Sequence, residues 1–235
     1  MPFAHSRNCN LRGRSLRKYR NHPKRLQPRQ SPPNPSERPG VDTVYGVVDI
    51  PAEFHPELDI EVKRRHIQIQ IALAEIGHKL SYRTYIAAND QGVTYKGKPL
   101  IALPDVVSNL KEERLLTAYG EAADAARLID CVWFKNGRLM PAVMEVEHST
   151  GITSGLTRMQ KFKNILPPFP SRWVIVGPDE DRAEFIRKSS DSQFKDLDAR
   201  WFPYSAVEEL HNLVHRRVIK GVTEEFLDSF IEKAA

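Results

Sequence analysis

An Asn136-Gly137 pair set between two apolar runs constrains this chain more than any other feature of it. Both central residues of a type I′ turn take positive φ, which asparagine and glycine tolerate best, so such a pair joins two antiparallel strands. The runs cover residues 127–134 and 139–147. A two-residue loop at 136–137 sets Phe134 opposite Leu139 and Asp130 opposite Val143. Side chains alternate along a strand and paired residues share a face, so Asp130, Glu145 and Glu147 all point the same way. Ile129, Cys131, Trp133, Met144 and Val146 take the other face. Pro141 fits inside the second strand only at a sheet edge or at a position that does not donate to the ladder.

Three carboxylates on one face repel one another unless a cation sits among them. Hard oxygen ligands of this kind suit Mg²⁺ or Mn²⁺, with Asp130 and Glu145 as the metal ligands. Strands with one wet face also carry acids that only solvate the sheet. Here, however, Leu128, Ile129 and residues 131–134 surround Asp130 with apolar groups, and Glu145 is the one charge in 140–146. Strands of this composition are buried on both faces, and a buried acid cluster without a partner is costly.

The net charge of +5 conceals an asymmetry. Residues 1–40 carry +9, while the remainder carries −4, so the pI of about 9.2 comes from one end of the chain. Residues 1–42 are rich in Arg, Ser and Asn with seven prolines, which predicts a disordered tail ahead of a single domain over 43–235. That tail reads equally as a phosphate-binding arm or as a dispensable extension. No apolar run is long enough to cross a membrane, and the N-terminus has no signal-peptide core. Two cysteines, Cys9 and Cys131, imply a reducing compartment, hence a cytoplasmic location. The eight histidines have no zinc-like spacing with those cysteines, which argues against zinc.

Periodicity predicts a helix over 55–80, a strand over 82–88, a turn at Asn89-Asp90 and a short excursion at 93–95. Residues 106–118 read as a helix and 127–147 as the hairpin. A helix over about 153–165 follows, with the Ser149 and Thr150 hydroxyls suited to capping it. Then come a strand at 172–176, a helix at 179–188, a strand at 198–202 and two helices at about 205–214 and 223–233. This order gives an α/β (α+β) fold, a mixed sheet flanked by helices.

The αβββαβ order, Asp130 on the second of its strands and the Glu145-Val146-Glu147-His148-Ser149-Thr150 segment resemble the PD-(D/E)XK, or restriction-endonuclease-like, nucleases. His66-(x)3-Gln70, Ile76-Gly77, Ala88-Asn89-Asp90 and Gly155-Leu156-x-Arg158-Met159 make the chain similar to a bacterial restriction-type branch over about residues 57–205. Two positions depart from the pattern. Ile129 stands where the motif has Pro, and Glu147 where it has Lys. The resemblance implies a DNA endonuclease that hydrolyses phosphodiester bonds with Mg²⁺ (or Mn²⁺) on Asp130 and Glu145. Glu147 then acts as base or joins the metal shell. Gln70 and His148 are candidate helpers, and Arg158 and Lys161 candidate phosphate contacts, although a solvated helix face explains the last two equally well. His66 reads as a plain helix residue. Many cutters of both strands are dimers, so the helices over 205–233 are candidates for a homodimer contact. The missing motif Lys supports an alternative, a catalytically inactive DNA-binding or regulatory protein that retains the fold. A nuclease acting on RNA or on damaged DNA ends is a third reading.

Overall fold

Strands that are apolar on both faces need helices on both sides of their sheet, and the chain supplies them. The computed structural model describes residues 48–49, 60–219 and 224–234. Its elements are β1 (Val48–Asp49), α1 (Ile60–Lys79), β2 (Arg83–Ile86), β3 (Thr94–Tyr95), β4 (Lys98–Pro99), β5 (Val106–Val107) and α2 (Gly120–Ala125). They continue with β6 (Cys131–Lys135), β7 (Leu139–Val146), α3 (Ile152–Ile165), β8 (Arg172–Gly177), α4 (Arg182–Ser189), β9 (Arg200–Pro203), α5 (Tyr204–Arg216) and β10 (Glu232–Lys233). Among the described residues, seven strands form one mixed sheet in the order β10-β9-β8-β7-β6-β2-β5, and β1, β3 and β4 form a small second sheet. The α1-β2-β6-β7-α3-β8 succession is the αβββαβ order expected, consistent with a restriction-endonuclease-like fold. The tail over 1–42 and the first turn of the expected 55–80 helix lie outside the described residues.

Alternation divides the core into two layers. Cys131, Trp133, Ala142, Met144 and Val146 pack with α1 and α5 through Leu73, Ile76, Val207 and Leu210. Val132, Phe134, Val143 and Ile175 pack on the opposite face with α3 through Ile152, Leu156, Met159 and Phe162. α5, one of the helices over 205–233 expected as candidates for a homodimer contact, thus turns Val207 and Leu210 inward.

The hairpin turn forms as expected. Asn136 and Gly137 have φ of +56° and +62°, and the Arg138 N–H donates to the Lys135 carbonyl at 3.2 Å. The register differs. Cys131 pairs with Met144, Val132 with Val143 and Trp133 with Ala142, after an irregularity between Trp133 and Lys135. Continuing this register sets Asp130 level with Glu145 instead of Val143. A slip of two residues leaves Cys131, Trp133, Met144 and Val146 together on one face as expected, because the strand repeat is two, while Ile129, just before β6, packs in the other layer. One residue of the slip arises at the turn, where Lys135 pairs with Leu139, and the other at a bulge in which Met140 and Pro141 together oppose Phe134. β7 is a central strand, and the bulge is what admits a proline there.

Three local expectations are corrected. Residues 106–118 are not a helix: Asp105 takes a φ of +59°, Val106 and Val107 join β2 in parallel, and Asn109 caps a short 3-10 turn by accepting from the Lys111 N–H at 3.0 Å. The 223–233 segment is a 3-10 turn over Glu224–Ser229 followed by β10 on the sheet edge. Asp228, paired with Arg172 at 2.6 Å and with Arg200, anchors that segment across the strand ends. Finally, Gly151 is the N-cap of α3 and no side chain caps it.

Candidate active site

The start of β6 and the end of β7 lie at the same end of the sheet because the two strands are antiparallel. α1 approaches that end from one side and α3 from the other, so acids from the hairpin meet polar groups from both helices. Asp130 sits immediately before β6, buried. Its Oδ2 accepts the Val146 backbone N–H at 2.8 Å, and its Oδ1 is 3.6 Å from His66 Nε2 on α1. Glu145, fully buried, accepts two bonds of 2.8 Å from Arg158 of α3, one from Nε and one from Nη2. The same Nη2 donates to Glu147 Oε1 at 2.6 Å. A single guanidinium therefore forks across two of the three expected acids, a geometry that planar Arg is built for.

The close approach of α3 to β7 depends on Gly155. A Cβ there would lie 3.0 Å from Glu147 Cγ, 3.1 Å from Glu145 Cβ and 3.1 Å from Ile175 Cδ1. Gly155→Ala is expected to lift α3 by a few tenths of an ångström and loosen the Arg158 fork. The overpacking cost of about 1–3 kcal/mol outweighs the helix-propensity gain of about 1 kcal/mol. A lowered urea midpoint checks this; an unchanged or raised one would mean that α3 yields freely.

Gln70 is buried one helical turn beyond His66, and its Nε2 donates to Asp90 Oδ2 at 3.0 Å and to the Asp130 carbonyl at 3.4 Å. Its Oε1 is buried without a hydrogen-bond partner. Asp90, in the turn after β2, is buried and lies 4.0 Å from His66 Nε2. His66, Asp90 and Asp130 each offer a ligand atom, and all three atoms lie within 4.8 Å of one another. The expected metal pair was Asp130 and Glu145; here both Glu145 oxygens go to Arg158, and Asp90 and His66 stand beside Asp130 instead. An orphaned amide oxygen next to two buried carboxylates fits a hard divalent cation.

The electrostatics separate the acids. Burial pushes Asp130 up, but the nearby His66 charge, the Val146 N–H and Arg158 together hold it below the ordinary aspartate value. Burial and the Asp130 charge push Glu145 well above the ordinary glutamate value against the pull of Arg158. Glu147 is raised for the same reasons, burial first and Asp130 second. One acid stays ionised while its neighbours take up protons readily, the division that acid–base chemistry needs. Burial would lower His66, but Asp130, Asp90 and Glu147 carry it up to about 9. A histidine raised from 6.5 stabilises the fold fully below pH 6.5, and that stability is lost as pH rises through about 9. With a chelator present, urea unfolding should show a loss of about 1–3 kcal/mol across this window, the low figures reflecting a side chain 24% exposed. His66→Gln should remove the slope; a slope retained in that variant assigns it elsewhere.

His148 turns away from the acids, as alternation requires. Its ring meets Tyr204 edge-on with centroids 6.0 Å apart, and burial lowers its pKa despite Asp181. Lys161 is exposed on α3, and the structure does not bring it to the acids. His66 and Asp90 lie in segments that carry the family resemblance, but they read from the sequence as a plain helix residue and a turn residue. The i, i+4 spacing of His66 and Gln70 was the available signal for the first. For Asp90 the signal was weaker, since Asn-Asp is ordinary turn chemistry.

The family model for the C-terminal domain of the type II restriction enzyme NmeDI matches residues 49–234. Among curated proteins, the type II restriction enzyme NmeDI of Neisseria meningitidis serogroup C is 53% identical over 201 residues, covering 84% of this chain and 57% of that protein. The chain thus spans somewhat over half the length of this relative. No solved structure matches it.

Proposed function

Because the chain belongs to the family of the type II restriction enzyme NmeDI C-terminal domain, we propose that its carboxylate site serves a restriction-type DNA endonuclease of the PD-(D/E)XK kind, working with Mg²⁺ or Mn²⁺. The observation that carries this reading is the meeting of Glu145 and Glu147 under one guanidinium, beside Asp130, Asp90 and an unpartnered Gln70 oxygen. Asp130 and Glu145 would hold the cation, with Asp90, His66 or Gln70 completing or orienting its shell. A divalent cation supplies a water of lowered pKa and offsets the charge that builds on phosphate oxygens.

The remaining work falls to side chains. Asp130, kept ionised by its surroundings, supplies permanent negative charge. Glu147, with a raised pKa and some exposure, accepts a proton from the attacking water more readily than an ordinary glutamate does. Arg158 is 34% exposed, so its guanidinium has a path from the acids to a DNA phosphate, and it takes up the positive charge that the motif Lys carries in other members. In the absence of DNA, this same Arg158 offsets the repulsion between Glu145 and Glu147.

The absent motif Lys keeps the catalytically inactive reading as the second one. Purified protein incubated with plasmid and genomic DNA and Mg²⁺ decides between them. The nuclease reading predicts discrete fragments that a chelator abolishes. DNA retention in a binding assay with no cleavage in Mg²⁺ or Mn²⁺ would support the inactive alternative.

A further inference from the structure

A second constellation lies on the other half of α1, away from the carboxylate site. Glu75 faces His211 and His215, which are spaced i, i+4 on α5 and therefore share one face of that helix. Glu75 Oε2 is 2.7 Å from His211 Nε2 and 3.8 Å from His215 Nε2. The three ligand atoms lie within 4.8 Å of one another, and the two imidazole rings have centroids 4.1 Å apart. We propose that Glu75, His211 and His215 form a binding site for a transition-metal ion of the Zn²⁺ type, a metal staple between α1 and α5 distinct from the carboxylate site.

The donor set is two imidazoles and one carboxylate, which suits Zn²⁺ and its borderline relatives and does not suit Mg²⁺. The surrounding bonds prepare it. His215 Nδ1 lies 2.8 Å from the His211 backbone carbonyl. A carbonyl only accepts, so Nδ1 carries the hydrogen and, in the neutral ring, Nε2 presents its lone pair toward Glu75. Such a bond from the far nitrogen to a carbonyl is the usual way a ligating histidine is oriented. The two oxygens of Glu75 are divided as well: Oε2 faces the histidines, while Oε1 is 3.8 Å from Lys96 Nζ. Between His211 and Glu75 a shared hydrogen holds the place that an ion would take.

Access is provided. Glu75 and His215 line an open cleft of about 190 Å³ together with His78, Leu103 and Pro104. Water as a fourth ligand has room on that side, and His211 closes the other side because it is buried. The spacing argument against zinc considered histidines with cysteines. It missed this group because Glu75 is 136 residues from His211 and reaches it only through the packing of α1 on α5.

The test uses the full chain with Asp130→Asn, so that the carboxylate site does not dominate metal uptake. Chelator-stripped protein is titrated with Co²⁺, read by its visible d–d absorption, then challenged with Zn²⁺, with the thermal midpoint followed in parallel. The proposal predicts one Co²⁺ per chain, displacement by Zn²⁺ and a raised midpoint. Adding His215→Ala should weaken binding by at least about tenfold and remove the midpoint shift. Glu75→Gln, which keeps the side-chain shape, should do the same and covers the case in which His215→Ala fails to fold. Equal Co²⁺ affinity with and without these changes, or no uptake by the Asp130→Asn chain, would overturn the proposal. Because the readout is metal binding, the result stands whether or not the protein cuts DNA.

Discussion

Asp130→Asn is expected to abolish DNA cleavage while leaving the fold intact. The substitution keeps the shape of the side chain and an oxygen for the Val146 N–H, which now donates to Asp130 at 2.8 Å. Of Asp130, Glu145 and Glu147, it removes the carboxylate that its surroundings hold ionised. Replacing groups that only orient a metal ligand costs about 10–100-fold, so loss of the ligand itself should lower the rate by at least about 10²-fold. Stability should change little, because two effects oppose. His66 loses its nearest partner, whereas Glu145 and Glu147 lose the negative charge that raises them. Cleavage rates beside urea unfolding check both halves. A fully active Asp130→Asn protein would remove the assigned site, and an unfolded one would show that Asp130 is mainly structural.

The largest expected change in stability comes from Arg158→Ala. Glu145 is fully buried, and the substitution leaves its carboxylate without the two bonds it now accepts. Breaking a buried pair by removing one partner costs about 3–5 kcal/mol; because Arg158 is 34% exposed, water reaches the gap and about 2–4 kcal/mol is the expected loss. The effect should depend on pH. A carboxyl whose folded pKa is raised binds more protons in the native state than in the unfolded one, so stability falls as pH rises through that value. Arg158→Ala protein should therefore be nearest to wild type in acid and furthest from it at neutral pH and above. Adding Glu145→Gln to Arg158→Ala should recover most of the loss, since the buried charge is gone. Urea midpoints measured over a pH series decide this, and a flat, small deficit at every pH would mean that Glu145 is already neutral without Arg158.

The hairpin was legible because a positive-φ requirement at two successive positions leaves few residues to choose from, and Asn136-Gly137 meets it. Alternation placed Glu145 on the α3 side of the sheet in spite of a register error of two, whereas Asp130, just before β6, meets His66 and Gln70 of α1 at the strand end. The error itself was not legible: one more residue at the turn and a bulge at Met140-Pro141 change the pairing without changing the local pattern. Residues 106–118 misled for a different reason. Val107 and Leu110 are buried at a spacing of three that a helix would produce, but they reach the core from a short strand and a turn. The site partners Arg158, Asp90 and His66 come from three separate elements, and only the fold decides that they meet. Arg158 read from the sequence as a candidate phosphate contact or a solvated helix residue, and nothing in the spacing along α3 announced that it reaches back to Glu145 and Glu147.

The account rests on a divalent ion lying at Asp130. The most direct measurement is anomalous scattering from crystals of the protein with Mn²⁺ and a DNA duplex. The account predicts an Mn²⁺ peak at inner-sphere distance from Asp130, with Glu145 released from Arg158 and the guanidinium on a phosphate. Mn²⁺ confined to Glu75, His211 and His215, with Arg158 still forked across Glu145 and Glu147 in the presence of DNA, would contradict it.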